Sequence, residues 1–422
     1  MPLHHRSKRD AYAVYLWISG AGSLCFSLVF TVNLFYHVTR VELNPLQLVL
    51  VGTLLEGSVF LFEVPTGVVA DVYSRRLSVI IGYALIGLGF ALEGSVPRFE
   101  AVLLAQVLWG VGYTFTSGAE QAWIADEVGE DKAGDAFLRA SQIGRIGGLA
   151  GIPLSVGLAS LHVTLPIVLG GALFVGLALV LALVMPENGF TPTPPAERES
   201  WHTLARTFTD GVRLVRGRPM LVTFLGVSVF YGLYSEALDR LWTRHLLDIG
   251  LPGLGPLEPV AWFGIIGALS LLLSLGTTEL VKRRLDTTDR IAILRTLQWL
   301  SAGTVLAIFA FALAGHFGVA LAALLAFQVV RSTSGPLFMA WINPHVESKV
   351  RATVFSMASQ VDAISQVAGG PVLGFIGKAW SVRAALAASG LVLSPVLLLY
   401  TRALRRERAA DAPLVAPVSL DS

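Results

Sequence analysis

Residues 136–154 read AFLRASQIGRIGGLAGIPL, and residues 354–372 read VFSMASQVDAISQVAGGPV. At an offset of 218, Phe137, Ala140, Ser141, Gln142, Ile146, Ala150, Gly151 and Pro153 match Phe355, Ala358, Ser359, Gln360, Ile364, Ala368, Gly369 and Pro371. Just upstream, 116–124 reads TSGAEQAWI and 333–342 reads TSGPLFMAWI, which match apart from one inserted residue. A weaker echo links Asp71, Arg75, Arg76 and Leu77 to Glu279, Arg283, Arg284 and Leu285. Apolar helices resemble one another by chance, but shared polar residues at matching offsets do not arise that way. A duplication in the same order in both halves predicts a parallel internal repeat, with a binding site between the halves at mid-membrane depth.

The surrounding composition says what is being repeated. Of 422 residues, 54% are hydrophobic and 14% are charged, with 31 Lys+Arg against 29 Asp+Glu. A water-soluble domain carries about 25% charged residues. Intrinsic disorder needs low hydrophobicity and is excluded. A disulfide scaffold is excluded because Cys25 is the single cysteine. An outer-membrane barrel would show alternating segments of about ten residues, whereas the apolar runs here are continuous and about 20 residues long, the length of a membrane-spanning helix. Twelve such runs fall at about 12–35, 46–70, 77–96, 101–123, 136–159, 164–185, 220–244, 259–281, 290–314, 317–341, 353–377 and 382–401. The chain therefore reads as an all-α membrane protein of twelve transmembrane helices in two six-helix bundles. Its expected parts are an N-terminal tail (1–11), a first bundle (12–185), a central loop (186–219), a second bundle (220–401) and a C-terminal tail (402–422).

Arginine and lysine orient it. Arg6, Lys8 and Arg9, then Arg75 and Arg76, Arg198 to Arg218, Lys282 to Arg290, and Arg402 to Arg408 all fall on one side if the spans alternate. The positive-inside rule makes that side, both tails included, cytoplasmic. The first span is too long for a signal peptide and lacks a clear small-residue cleavage site. In the central loop, Trp201, Leu204, Phe208, Val212 and Val215 recur at helical spacing with arginines between them. That pattern suits an amphipathic helix on the inner leaflet or a soluble tether helix.

The loop after the second span reads Glu63-Val-Pro65-Thr-Gly67-Val-Val-Ala-Asp71-Val-Tyr-Ser-Arg75-Arg76. It resembles the G-x-x-x-D-R-x-G-R-R signature of the major facilitator superfamily, with Gly67, Asp71, Arg75 and Arg76 matching and Val72 and Ser74 departing. The resemblance covers the whole chain and implies that superfamily's fold, with its pseudo-two-fold six-plus-six repeat, and a cytoplasmic gate built from this loop. Physically, Asp71 suits a helix N-terminus. Arg75 and Arg76 can pair with acids at nearby helix ends, Asp126 or Glu127, and such pairs are expected only while the cytoplasmic ends are together. The run Gly147-Gly148-Leu-Ala-Gly151-Ile-Pro153 is similar to a loose form of the superfamily's antiporter motif, interrupted by Ile152, and Gly369-Gly370-Pro371-Val-Leu-Gly374 is tighter. Small residues let helices approach and slide.

Ionisable residues at bilayer depth are costly and mark function by default. Glu63 lies about nine residues from the cytoplasmic end of its span, roughly 14 Å deep, and Asp362 lies at nearly the same depth. Two carboxylates close together in low dielectric cannot both ionise easily, which suits proton coupling. Glu63, Asp362 and Glu236 are the coupling candidates; a structural, backbone-capping role competes for Glu63. Arg145 and Arg331 need carboxylate partners: Glu56 or Glu120 for Arg145, and Asp362 or Glu236 for Arg331. With Tyr231, Tyr234, Glu56, Gln142 and Gln360 they are the expected cavity residues. Aromatics beside acids suit a cationic amphipathic substrate or an ordinary interfacial belt.

The sequence contains no phosphate-binding loop of the G-x-x-x-x-G-K-[ST] type and no metal-ligand cluster. It predicts no enzyme, no cofactor, no metal and no nucleic-acid partner. The expected protein is a monomeric, multi-pass secondary transporter of the cell membrane, working by alternating access and exporting a small amphipathic or drug-like molecule in exchange for protons. The alternatives are an importer or uniporter of a sugar or organic anion, and a non-transporting scaffold or receptor.

Overall fold

In the hydrocarbon core a backbone must satisfy its own hydrogen bonds, so continuous apolar runs become helices. The computed structural model describes residues 3–192, 194, 209, 217–254, 259–285, 289–346 and 351–411. Among them the chain forms fifteen α-helices. The first half holds α1 (Leu3–Phe30), α2 (Asn33–Thr39), α3 (Pro45–Val72), α4 (Arg75–Ser95), α5 (Phe99–Thr116), α6 (Ala119–Val128), α7 (Glu130–Leu161) and α8 (Leu165–Val184). The second half holds α9 (Pro219–Ile249), α10 (Ala261–Arg284), α11 (Arg290–Leu313), α12 (Phe317–Ile342), α13 (Arg351–Ala379), α14 (Val382–Leu393) and α15 (Pro395–Asp411). All twelve expected spans are present as helix. The amphipathic helix expected from Trp201 to Val215 lies, apart from Thr209, outside the described residues.

Short polar signals set the boundaries. Asn44 and Gln47 form a reciprocal capping box at the start of α3, with Pro45 in its first turn. The side chains of Ser74, Asp289 and Ser381 cap α4, α11 and α14. Three spans are broken within the expected runs, two of them at Ser-Gly and Ser-Pro steps that favour turns. The first breaks between α1 and α2, the fourth at Ser117-Gly118, and the twelfth at Ser394-Pro395. Gly118 has φ +75°, a conformation that glycine adopts without strain. Eleven stretches among the described residues are long and apolar enough to cross a membrane. The remaining long helix, α13, is more polar, and it lies between α3 and α9 rather than against lipid alone.

The internal repeat has a packing meaning. In the first half α7 packs on α1, and in the second α13 packs on α9. A Cβ on Gly151 would stand 2.7 Å from the Leu24 carbonyl oxygen, and one on the equivalent Gly369 would overlap the Leu233 carbonyl oxygen. Both glycines let backbones touch.

The halves meet through α3 with α13 and α9, α7 with α10, and α2 with α9. Those contacts sit toward the end of the bundle away from the chain termini. Gly374 faces Val49, Gly377 faces Pro45, Gly264 faces Val156, and the Phe35 and Phe263 rings are 5.2 Å apart. Toward the termini the facing surfaces of α3 and α13 part and line a cavity.

Candidate functional site

The site is built around α9, with α3 and α13 on one side and α12 behind. Glu236 on α9 is buried and accepts from Arg240 Nε at 2.8 Å. The pair is one turn apart on the same helix, and it is wedged between glycines of both halves. A Cβ on Gly370 would stand 3.2 Å from Glu236 Cγ, and one on Gly52 would overlap Glu236 Oε1 and Arg240 Nε. One turn further, Asp239 pairs with Arg331 Nη1 of α12 at 2.5 Å, and the Arg331 guanidinium lies 5.7 Å from the Phe327 ring. This corrects the sequence expectation. The partner of Arg331 is Asp239, not Asp362 or Glu236, whose carboxylates are engaged by Gln366 and Arg240.

Glu56 and Asp362 lie outside these pairs. Glu56 on α3 makes no ion pair and no hydrogen bond among the described residues, although it lies within electrostatic reach of Glu236, Arg240, Asp362 and Asp239. Asp362 on α13 accepts from Gln366 Nε2 at 2.8 Å, a neutral donor. Both line a cavity of about 590 Å³ between α3, α5 and α13, together with Glu63, Trp109, Tyr113 and Gln360. Asp362 also lines a second cavity of about 290 Å³, with Tyr231, Arg331, Ser334 and Phe338. The structure thus joins Glu56, Glu63, Gln360 and Asp362 in one space, and Asp362, Tyr231 and Arg331 in the next.

Other expected residues fall elsewhere. Glu63 is exposed at the cavity, not buried at mid-depth. Tyr231 contacts Ser301 Oγ at 3.2 Å. Tyr234 is fully buried behind Tyr231 and does not reach the cavity. Arg145 is exposed and pairs with neither Glu56 nor Glu120. It lies on the face of α7 that carries Ile152 and Val156, which pack on Gly264 of α10. Gln142 is exposed on the same helix.

At the end near the termini, Arg75 binds Asp126 and also donates to the Ala122 carbonyl at 2.9 Å. Arg76 donates from its guanidinium to the Ala182 carbonyl, while its backbone N–H and the Ser74 hydroxyl bind Glu187. Glu127 accepts from the Gly189 backbone at 2.8 Å. All these partners belong to the first bundle or to the start of the central loop, and none to the second bundle. The Arg75–Asp126 pair, expected only with the ends together, is therefore present with the halves apart. Gly67 is open to space on its Cβ side, and Asp71 makes no ion pair or hydrogen bond among the described residues.

One buried polar network escaped sequence reasoning. Glu93, near the end of α4, accepts from Asn33 Nδ2 at 2.5 Å and Gln106 Nε2 at 3.0 Å and contacts His37 Nε2 at 2.6 Å. Tyr36 donates to the Glu93 carbonyl at 2.6 Å. Glu93 and His37 are wholly buried. Removing one partner of such a cluster strands the rest. Glu93→Leu is predicted to lower stability by about 3 kcal/mol, read as a fall in the thermal unfolding midpoint of the purified protein; an unchanged midpoint would refute a structural role for this cluster.

The sequence profile of the Major Facilitator Superfamily matches residues 14–361. The chain is 20% identical over 389 residues to the uncharacterized MFS-type transporter YxaM of Bacillus subtilis (strain 168), covering 92% of this chain and 95% of that one. Among solved structures it is similar to the nucleoside transporter NupG, with TM-score 0.72, 16% identity and coverage of 94% and 98%. It is also similar to a bacterial homolog of the human lysosomal transporter Spinster in an inward-facing, unoccupied conformation, with TM-score 0.70, 14% identity and coverage of 94% and 97%. A POT family transporter in complex with 5-aminolevulinic acid gives TM-score 0.71, 12% identity and coverage of 94% and 96%.

Proposed function

The chain belongs to the major facilitator superfamily and is a multi-pass membrane protein and secondary transporter, and on that premise we propose that it exports a small amphipathic molecule across the cell membrane in exchange for protons. One observation carries the proposal. Glu56 and Asp362 come from opposite halves, line one cavity, and are not ion-paired, whereas the neighbouring charges cancel in two Arg–carboxylate pairs. Two like charges at this depth repel, and a proton held by one of them removes the repulsion. A carboxylate pair split across the domain boundary feels that repulsion only while the halves hold it together. Protonation therefore couples to the opening of the boundary. The cavity opens toward the arginine-rich end, which the positive-inside rule makes cytoplasmic, so this arrangement is the one that loads substrate from the cell. The glycines of α13 that face α3 support sliding at the contact that must open.

The test is substrate-induced proton movement in everted vesicles with an acidified lumen and a pH-sensitive dye, across a panel of neutral, cationic and anionic amphiphiles. Export by exchange predicts lumen alkalinisation on substrate addition. No dye response to any compound sinks the reading. A second reading, import or uniport of a metabolite such as a sugar or organic anion, draws on Arg145, an exposed cation on the cleft-facing side of α7. It predicts saturable uptake into right-side-out vesicles without proton efflux.

A further inference from the structure

A third cavity, of about 760 Å³, lies on the far side of the Arg331–Asp239 pair from the carboxylates, between α9, α10 and α12. Ser270 on α10 lines it. The residue is 8% exposed, and its buried hydroxyl has no hydrogen-bond partner among the described residues. Buried serines in these helices mostly donate to a carbonyl, one turn back as Ser58 does to Leu54, Ser334 to Val330 and Ser389 to Ala385, or on a neighbouring helix as Ser155 does to Leu28. Ser270 has given up that bond, and an unsatisfied buried hydroxyl is costly. With it the cavity is lined by Ser274, Gln328 and the ion pair itself, which spends one Arg331 N–H and one Asp239 oxygen on each other and leaves further N–H groups and lone pairs on both residues.

We propose that this cavity binds an uncharged amphiphile whose polar part is a polyhydroxylated ring, as in an aryl glycoside; the assignment rests on the reading of the chain as an amphiphile exporter and names its substrate class. Charge decides against ions. Asp239 and Arg331 neutralise each other, so a net charge on the ligand meets no net counter-charge here, while the carboxylates outside ion pairs line the other cavity. Donor and acceptor count decides for hydroxyls. Serine hydroxyls and a glutamine amide each both donate and accept, and a partly used Arg–carboxylate pair offers N–H groups and lone pairs side by side, which is the pattern vicinal hydroxyls complete. The apolar wall decides for a ring. Trp242 faces the cavity, with Phe263 5.7 Å behind it and Phe327 opposite, and flat apolar surfaces of this kind suit the C–H face of a saturated ring or an aromatic aglycone. The space also continues. Trp242 and Gln328 line a further cavity of about 240 Å³ that reaches Ser27 on α1 and Ile152 on α7. A ligand filling both would touch both halves, as a transported molecule must.

The full chain is reconstituted in nanodiscs after purification in a non-glycosidic detergent, since alkyl glycosides are themselves amphiphiles of this class. Calorimetric titration uses 4-nitrophenyl β-glucoside, β-galactoside and α-mannoside as neutral probes, 4-nitrophenyl β-glucuronide as the anion and tetraphenylphosphonium as the cation. At least one neutral glycoside is expected to bind saturably, with the charged probes roughly tenfold weaker or worse. Ser270→Ala and Gln328→Leu are each expected to weaken glycoside binding roughly tenfold, with unfolding midpoints unchanged, whereas lipid-side Trp299→Leu leaves it intact. Absence of saturable binding by all three glycosides, tighter binding of either ion, or wild-type affinity in both site variants overturns the assignment. The proton-exchange reading fails separately. Tetraphenylphosphonium-driven proton release with no glycoside binding removes the ligand class and keeps exchange; glycoside binding with no proton movement removes exchange and keeps the ligand class.

Discussion

Gly52→Val is expected to stop transport while leaving the protein folded. Gly52 is where α3 of the first half comes against the Glu236–Arg240 pair of the second. A Cβ there would overlap Glu236 Oε1 and Arg240 Nε and stand 2.6 Å from Glu236 Cδ. Side-chain ends usually give way to an added methyl, but these cannot. Only 4% of the Glu236 side chain and 15% of that of Arg240 are exposed. Glu236 is also held from the opposite side by Gly370, whose own Cβ would lie 3.2 Å from Glu236 Cγ and 2.9 Å from Thr53 Oγ1. Valine must therefore break the pair or push the halves apart at the end that is closed here. Breaking a buried pair costs roughly 3 kcal/mol or more, and each 1.4 kcal/mol is about a tenfold shift in an equilibrium. The closed arrangement should become more than a hundredfold less populated by that arithmetic. Each half's own core is untouched, so the unfolding midpoint should hold. The check is labelling by a membrane-impermeant maleimide in a Cys25→Ser background. Val49→Cys, buried against Gly374 at the closed end, should become reactive from outside once Gly52→Val is added, and Ser359→Cys in the open cavity should become less reactive. Unchanged labelling at both positions with wild-type transport would show that the Gly52 contact does not hold the closed end.

The contrast between what sequence reasoning found and missed follows from whether the signal was local. The twelve spans were legible because each is a continuous apolar run, and the repeat was legible because Gly151 and Gly369 do the same job in equivalent helix pairs. The break at Ser117-Gly118 was missed: the Ser-Gly step is a turn signal, but it lies inside a run long enough to span, and the positive φ of Gly118 marks the turn. Glu56 and Asp362 stood out as acids within spans, and they do share a cavity. Glu93 is equally acidic and more deeply buried, but nothing local to the end of α4 marks it. Its partners Asn33, His37 and Gln106 come from two other helices, which no spacing rule connects. Arg331 was recognised as needing a carboxylate, yet the choice among three acids on two helices depends on rotation and depth to within one turn. That precision exceeds what counting 1.5 Å per residue from an uncertain span end allows. Gly52 carried no signal at all, because its importance lies in what it faces across the domain boundary.

Asp362→Asn is expected to abolish proton-driven uphill transport while sparing downhill exchange. Asparagine keeps the size of the side chain and an oxygen to accept from Gln366 Nε2, now 2.8 Å from the carboxylate, so packing of α13 should survive. On the proposed exchange mechanism, what is lost is the group that takes up and releases the proton. A positioned proton-transfer group is worth roughly a hundredfold or more in rate, and uphill transport, which needs the proton on every cycle, should fall by about that factor. Counterflow of labelled against unlabelled substrate needs the halves to rock but needs no net proton, so it should persist. Glu56→Gln should behave alike, because it faces the same cavity and removes the other member of the repelling pair. The double variant decides whether the two act as a unit: groups that share one proton are non-additive, and Asp362→Asn with Glu56→Gln should then be no worse than either alone. Multiplying losses would instead mean two independent proton sites. Wild-type uphill transport by Asp362→Asn would remove this carboxylate from the coupling mechanism, and loss of counterflow along with uphill transport would recast it as a residue needed to move the halves.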